Sequence, residues 1–233
     1  MNIHTIGVVG TGHMGCGIAH VFAAAGFQVI LQDLSHDSLG KALASIEHSL
    51  QRGVEKGKLG TLEMANALGR IRTTTSFGDF KEADFVVEAG PEHWETKKQF
   101  FETLDLLCRP DSILATSTGI SSITRLGSLT KRPECVIGMH FLHPVPAMPL
   151  VEVVRGLATS DATCATVSAL AKRLDKTPVP CNDSPGFVSN RLLMPMINEA
   201  IFALEDGVAE VQSIDTIMKL GMNHPMGPLA LAD

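Results

Sequence analysis

The stretch that decides the fold runs Ile6-Gly7-Val8-Val9-Gly10-Thr11-Gly12-His13-Met14-Gly15. Its first four residues are a short apolar run of the kind a buried strand requires. Working outward, Met14, Ile18, Val21, Phe22 and Ala25 keep a helical period, Gly26 ends it, and Gln28-Val29-Ile30-Leu31-Gln32 resumes a strand. Strand, glycine turn, helix and strand in so short a span make a βαβ unit.

A G-x-G-x-x-G pattern alone is a weak signal, because any tight turn can use glycines. Here the loop follows a strand and opens a helix, which gives each glycine a separate job. Gly10 permits the turn, Gly12 lets the backbone approach a pyrophosphate, and Gly15 allows helix and strand to pack closely. Gly10, Thr11, Gly12, His13, Met14 and Gly15 are therefore candidate dinucleotide ligands. Asp33 ends the second strand, where a carboxylate accepts ribose hydroxyls and repels a 2′-phosphate, so the expected cofactor is NAD rather than NADP. The bland alternative is a structural turn followed by an incidental aspartate.

Further apolar segments at Phe85–Ala89, Ser112–Thr116 and Cys135–Phe141 alternate with helical stretches. That alternation implies an α/β fold of the doubly wound Rossmann type with a mainly parallel sheet. A charged, mostly helical excursion from Asp37 to Leu68 interrupts it as a helical hairpin insertion, and such insertions usually carry function or cover a ligand. A helix is expected over Ser160–Leu174. Asp183-Ser184-Pro185-Gly186 reads as a boundary, with Ser184 as N-cap and Pro185 opening a helix to about Leu204 that Pro195 should kink. A second helix is expected over Ser213–Leu220. The expected domains are residues 1–183, binding NAD, and 184–233, a small all-helical unit for substrate binding and dimerisation.

Composition narrows the function classes. Of the 233 residues 45% are hydrophobic and 19% charged, which argues for a packed globular chain, and a net charge of −6 leaves no basic face suited to nucleic acid. No stretch approaches the roughly 18 apolar residues of a membrane span, and no leader segment is evident at the N-terminus. The five cysteines form no C-x-x-C pair, so the expectation is a reduced, cytoplasmic protein without a metal.

His140 and Glu152 lie on two apolar segments separated by Pro144, Pro146 and Pro149. A rigid proline turn returning like a hairpin would bring the carboxylate to the imidazole, orienting a base that takes a hydroxyl proton while hydride leaves. From spacing alone, a structural histidine satisfied by a glutamate is the more common outcome.

Several separate segments, in order from Ile6 to Asp233, resemble the L-3-hydroxyacyl-CoA dehydrogenase family. They are Gly138-Met139-His140-Phe141, Pro144-Val145-Pro146, Pro149-Leu150-Val151-Glu152-Val153, Asp183-Ser184-Pro185-Gly186-Phe187-Val188 with Asn190-Arg191, and Asn223-His224-Pro225-Met226-Gly227-Pro228. The resemblance implies that His140 is the catalytic base, Glu152 its partner and Asn190 the substrate-holding asparagine. It implies cofactor-side roles for Glu92, Lys97 and His143, and an acyl-CoA ligand met by Ser49 and Lys56. Read by itself, Lys56 is equally a solvated helix lysine. The substrate expected is short-chain, such as 3-hydroxybutyryl-CoA, in β-oxidation or butanoate metabolism. Two other readings stay open: a dehydrogenase of a free β-hydroxy acid, or a catalytically impaired NAD-binding protein.

Two departures from the family fall in the heart of the site, at Gly119 and His143. The family's Asn-Thr-Ser-Ser, whose first serine hydroxyl contacts substrate, is here Ser117-Thr118-Gly119-Ile120, and the asparagine of His-Phe-x-Asn-Pro is His143. A lost hydroxyl bond weakens alignment by about 1 kcal/mol or more. Ser117 or Ser121 standing in, a pocket reshaped by His143, and lost activity are the three accounts. Family members also continue past Asp233, so the short helical unit is expected to expose apolar faces and the chain to form a homodimer.

Overall fold

The structure, a computed structural model, describes residues 3–233. The chain divides into two compact units, the first reaching Ser184 and the second spanning Pro185–Asp233. The first unit's strands are β1 (Thr5–Val9), β2 (Gln28–Gln32), β3 (Ile71–Thr74), β4 (Phe85–Glu88), β5 (Ile113–Thr116), β6 (Val136–Phe141), β7 (Leu150–Arg155) and β8 (Thr177–Asn182). The described residues place them in one eight-stranded sheet ordered β3-β2-β1-β4-β5-β6-β7-β8. Every neighbouring pair is parallel except β6 and β7.

The helices of this unit are α1 (His13–Ala24), α2 (His36–Glu55), α3 (Thr61–Gly69), α4 (Trp94–Leu107), α5 (Ile123–Gly127) and α6 (Asp161–Arg173). Strands β4, β5 and β6 are buried along their whole length, as expected of parallel strands covered on both faces. Ser35 caps α2 through the Ser38 amide, and Leu39, Ala42, Ile46 and Leu50 form the single stripe that α2 buries. Phe22 of α1 stands edge-on to Phe27 at 5.6 Å and touches Phe85, locking the first βαβ unit against the sheet.

Strand order reverses between β1 and β4. At that switch point the loops leaving the carboxyl ends of two adjacent strands diverge and open a crevice for a ligand. The insertion forms the α2–α3 helical pair, as its periodicity suggests.

Two strands escape a sequence reading. Strand β3 is short and half polar. Strand β8 carries Pro178 and Pro180, which argue against a strand, yet it is the sheet's last strand, where the missing N–H groups face away from the ladder. The expected helix start at Pro185 is also corrected. Helix α7 begins at Ser189 with Val188 as N-cap, because Gly186 at φ +75° and Phe187 at φ +50° occupy left-handed conformations that a helix cannot include. The second unit runs α7 (Ser189–Glu205, with Pro195 inside), α8 (Val211–Gly221) and α9 (Pro228–Ala232). Thus α8 starts before Ser213. Among the described residues no helix is long and apolar enough to cross a membrane.

Candidate active site

The crevice is built first by glycines. Gly10 sits at φ +95°, and a β-carbon there would lie 2.8 Å from the Ala89 carbonyl oxygen. A β-carbon on Gly15 would overlap the Gly10 carbonyl oxygen, whereas one on Gly12 would meet no protein atom within 4 Å. The loop is therefore tight against the protein at Gly10 and Gly15 and open at Gly12. Helix α1 begins there with no side-chain cap and no acidic residue in its first turn, leaving its leading N–H groups to a phosphate. Thr11 donates both its amide (3.1 Å) and hydroxyl (2.5 Å) to Asp33 Oδ2, fixing the carboxylate at the end of β2. Met14 turns toward the core, while the His13 ring stands edge-on to His143 at 6.0 Å. A glycine cradle, an uncapped helix start and an anchored strand-end carboxylate fit NAD.

Behind the crevice lies a buried ionic network. Lys97 of α4, only 1% exposed, donates to both oxygens of the fully buried Glu88 at 3.1 and 2.9 Å. Thr116 donates its hydroxyl to Glu88 at 2.7 Å, and so does the Gly90 amide. Lys97 also lies 3.4 Å from Glu92, whose carboxylate accepts the Thr118 hydroxyl at 2.7 Å and the Gly119 amide at 3.2 Å. Glu92 thus ties the loop after β4 to the loop after β5. Lys97, buried beneath the crevice, bridges Glu88 and Glu92. Replacing it with methionine strands Glu88 in the core and is expected to lower stability by about 3–5 kcal/mol, read by denaturant melts.

His140 and Glu152 face each other across the antiparallel β6–β7 pair, with Nδ1 donating to Oε2 at 2.7 Å. Both are buried. The loop between them is held by Lys176, whose Nζ donates to the Val145 and Met148 carbonyls at 2.7 Å each. It packs hard on α1, since a β-carbon on Gly17 would stand 2.8 Å from Val145 Cβ. On neighbouring β8, burial together with Glu152 and Asp183 pushes the Cys181 thiol up to about 11, so it stays protonated at neutral pH.

Beside α1 and α2 lies a cavity of about 440 Å³ lined by Ser49, Arg52, Lys56, Lys58, His20 and Pro146, among others. Its described lining holds three cations and no carboxylate, in a protein of net charge −6. Such a wall suits a phosphate-bearing ligand. Burial, aided by the charge of Lys176, pushes His20 down to about 4, so this imidazole is neutral at physiological pH and serves the wall without charge. Sequence reading picks out Ser49 and Lys56 but not Arg52 or Lys58, which helical spacing from Ser49 and the following turn could have suggested.

Residues 5–184 match the family described as 3-hydroxyacyl-CoA dehydrogenase, NAD binding domain, and residues 186–233 its C-terminal domain. The chain belongs to the 3-hydroxyacyl-CoA dehydrogenase family. It is an NAD-dependent dehydrogenase that interconverts L-3-hydroxyacyl-CoA and 3-ketoacyl-CoA. It is 52% identical over 227 residues to a probable 3-hydroxybutyryl-CoA dehydrogenase of Deinococcus radiodurans, covering 97% of this chain and 81% of that one. A probable 3-hydroxybutyryl-CoA dehydrogenase of Bacillus subtilis is 49% identical over 233 residues, covering 100% and 81%. The crystal structure of (S)-3-hydroxybutyryl-CoA dehydrogenase from Ralstonia eutropha superposes with a TM-score of 0.97 at 47% identity, over 99% of this chain and 82% of that one.

Within this 3-hydroxyacyl-CoA dehydrogenase the crevice, the His140–Glu152 pair and the cationic cavity all belong to the first unit. Asn190 lies in the second unit, in the first turn of α7. Of the two unusual positions, Gly119 contributes its backbone amide to Glu92, and His143 stands against His13. Of the buried members of the ionic network, Glu88 and Thr116 carry no motif, and only their packing reveals them.

Proposed function

We propose that this dehydrogenase works on short-chain substrates, with 3-hydroxybutyryl-CoA and acetoacetyl-CoA as its pair. The observation that supports His140 as the acid–base of that reaction is its 2.7 Å contact with Glu152 near the carboxyl end of β6, an inner strand of the sheet that carries the dinucleotide crevice. A carboxylate that accepts Nδ1–H sets the tautomer and stabilises the charged ring, so proton transfer falls to Nε2. In the oxidative direction His140 takes the hydroxyl proton; in reduction it returns it. Bound NAD supplies the hydride chemistry.

The other residues hold the two ligands. Gly10, Thr11, Gly12, His13, Met14 and Gly15 shape the pyrophosphate cradle, Asp33 receives ribose hydroxyls, and Glu92, braced by Lys97, stands with His143 on the cofactor side. Ser49 and Lys56 meet the CoA phosphates, the Gly119 loop borders the reacting group, and Asn190 positions the substrate. Residues 1–183 form the NAD-binding domain and 184–233 the domain for substrate and dimer contact.

The test is NADH absorbance with acetoacetyl-CoA, a longer 3-ketoacyl-CoA and free acetoacetate. Oxidation that is fastest with acetoacetyl-CoA is expected. Inertness toward every ketone together with NADH binding would mean a silent dinucleotide-binding protein, and turnover of free acetoacetate alone would mean a β-hydroxy acid dehydrogenase.

The same reading places the enzyme in the cytoplasm as a homodimer, in β-oxidation or butanoate metabolism. Five free cysteines suit a reducing compartment. Leu192 and Met194 of α7 and Ile217 and Leu220 of α8 are exposed apolar side chains that a second subunit would cover. Analytical sedimentation at micromolar concentration is expected to give a dimer, and a stable monomer would contradict it.

A further inference from the structure

We propose that Ser121 supplies the hydroxyl that orients the reacting oxygen of the substrate, in place of the one that Gly119 lacks. The inference rests on the reading of His140 as the base for a 3-hydroxyacyl-CoA. In the β5–β6 ladder Thr116 pairs with Gly138, and His140 follows two positions later on the same face of its strand. The loop that leaves β5 therefore runs beside His140.

Most hydroxyls of that loop are already committed. Thr116 donates to buried Glu88 at 2.7 Å. Thr118 donates to Glu92 at 2.7 Å and accepts the amides of Ile120 and Ser121 at 3.2 and 2.9 Å. Ser122 donates to Asp183 at 2.7 Å and caps α5. Ser117 is buried. The turn made by Thr118 folds Ser121 back over Glu92, with its Oγ 3.4 Å from the carboxylate, longer than an ordinary hydroxyl bond. Ser121 is partly exposed, so its proton is held weakly and from one side. The turn is pinned at both ends, by Glu92 before Ser121 and by the Ser122–Asp183 bond after it. Such a pre-positioned donor can follow the substrate oxygen as it gains charge, while the transferred proton comes from His140 and Ser121 keeps its own.

The test compares the parent enzyme with Ser121→Ala, Ser121→Thr, Ser117→Ala, Gly119→Ser and the Gly119→Ser/Ser121→Ala pair. Each is assayed for acetoacetyl-CoA reduction and for NADH and acetoacetyl-CoA binding by titration. Ser121→Ala is expected to lower kcat about tenfold or more with the NADH Kd unchanged, the signature of a lost transition-state donor rather than of a disturbed fold. Ser121→Thr and the double variant should recover most of the rate, while Ser117→Ala should stay within about twofold of the parent. A parental rate in Ser121→Ala, or a severalfold gain from Gly119→Ser alone, overturns the proposal while leaving the dehydrogenase reading intact. A parent enzyme inert toward acetoacetyl-CoA overturns both.

Discussion

His140→Gln is expected to lower kcat for acetoacetyl-CoA reduction by about a thousandfold, within the range typical of a removed general acid–base. Glutamine was chosen because its amide can still donate to Glu152, which is buried and would otherwise be left without its imidazole partner. The fold and the crevice should therefore persist, and NADH should bind with unchanged affinity by fluorescence titration. Glu152→Gln removes charge but keeps an acceptor, so its rate should lie between the parent and His140→Gln. A His140→Gln enzyme that retains a tenth or more of the parental kcat would show that the proton goes elsewhere, and the chemistry proposed for the β6–β7 pair would fail.

Gly15→Ala should abolish useful cofactor affinity. Its β-carbon falls on the Gly10 carbonyl oxygen, and Gly10 cannot yield, since it is held at φ +95° against the Ala89 backbone. The loop must open, and NADH affinity is expected to fall on the order of a hundredfold, equivalent to about 2.7 kcal/mol. Overpacking should also destabilise the fold by about 1–3 kcal/mol. Gly12→Ala is the informative contrast. Its β-carbon meets no protein atom within 4 Å, so melts should match the parent while NADH binding weakens, because the methyl group enters the space proposed for the pyrophosphate. Equal melting losses for the two variants, or equal retention of NADH, would contradict the assignment of separate jobs to the two glycines.

The positions where the sequence reads well are those whose chemistry is local. The cradle is written in consecutive residues, and Asp33 is reached by counting to the end of the next apolar strand. The α2–α3 insertion announces itself by one apolar stripe, Leu39, Ala42, Ile46 and Leu50. Strand β8 reads badly for an equally local reason: Pro178 and Pro180 argue against a strand unless the strand is known to lie at the sheet's edge. The helix expected to open at Pro185 opens at Ser189 because two successive left-handed residues come between, and Phe187 gives no sign of that conformation in its chemistry.

The glycine loop, the strand-end position of Asp33 and the family motifs around His140 and Asn190 were determined by the sequence itself. Each depends on residue type at short, countable spacing. Tertiary structure alone decided that His140 meets Glu152 at 2.7 Å rather than merely facing the same layer, since one step of register would have sent the two side chains to opposite faces. It also decided that Lys97 is a buried brace for Glu88 and Glu92, and that Ser121 is the loosely held hydroxyl of its loop. These depend on which carboxylate each turn delivers to which donor, and separation along the chain carries no information about that.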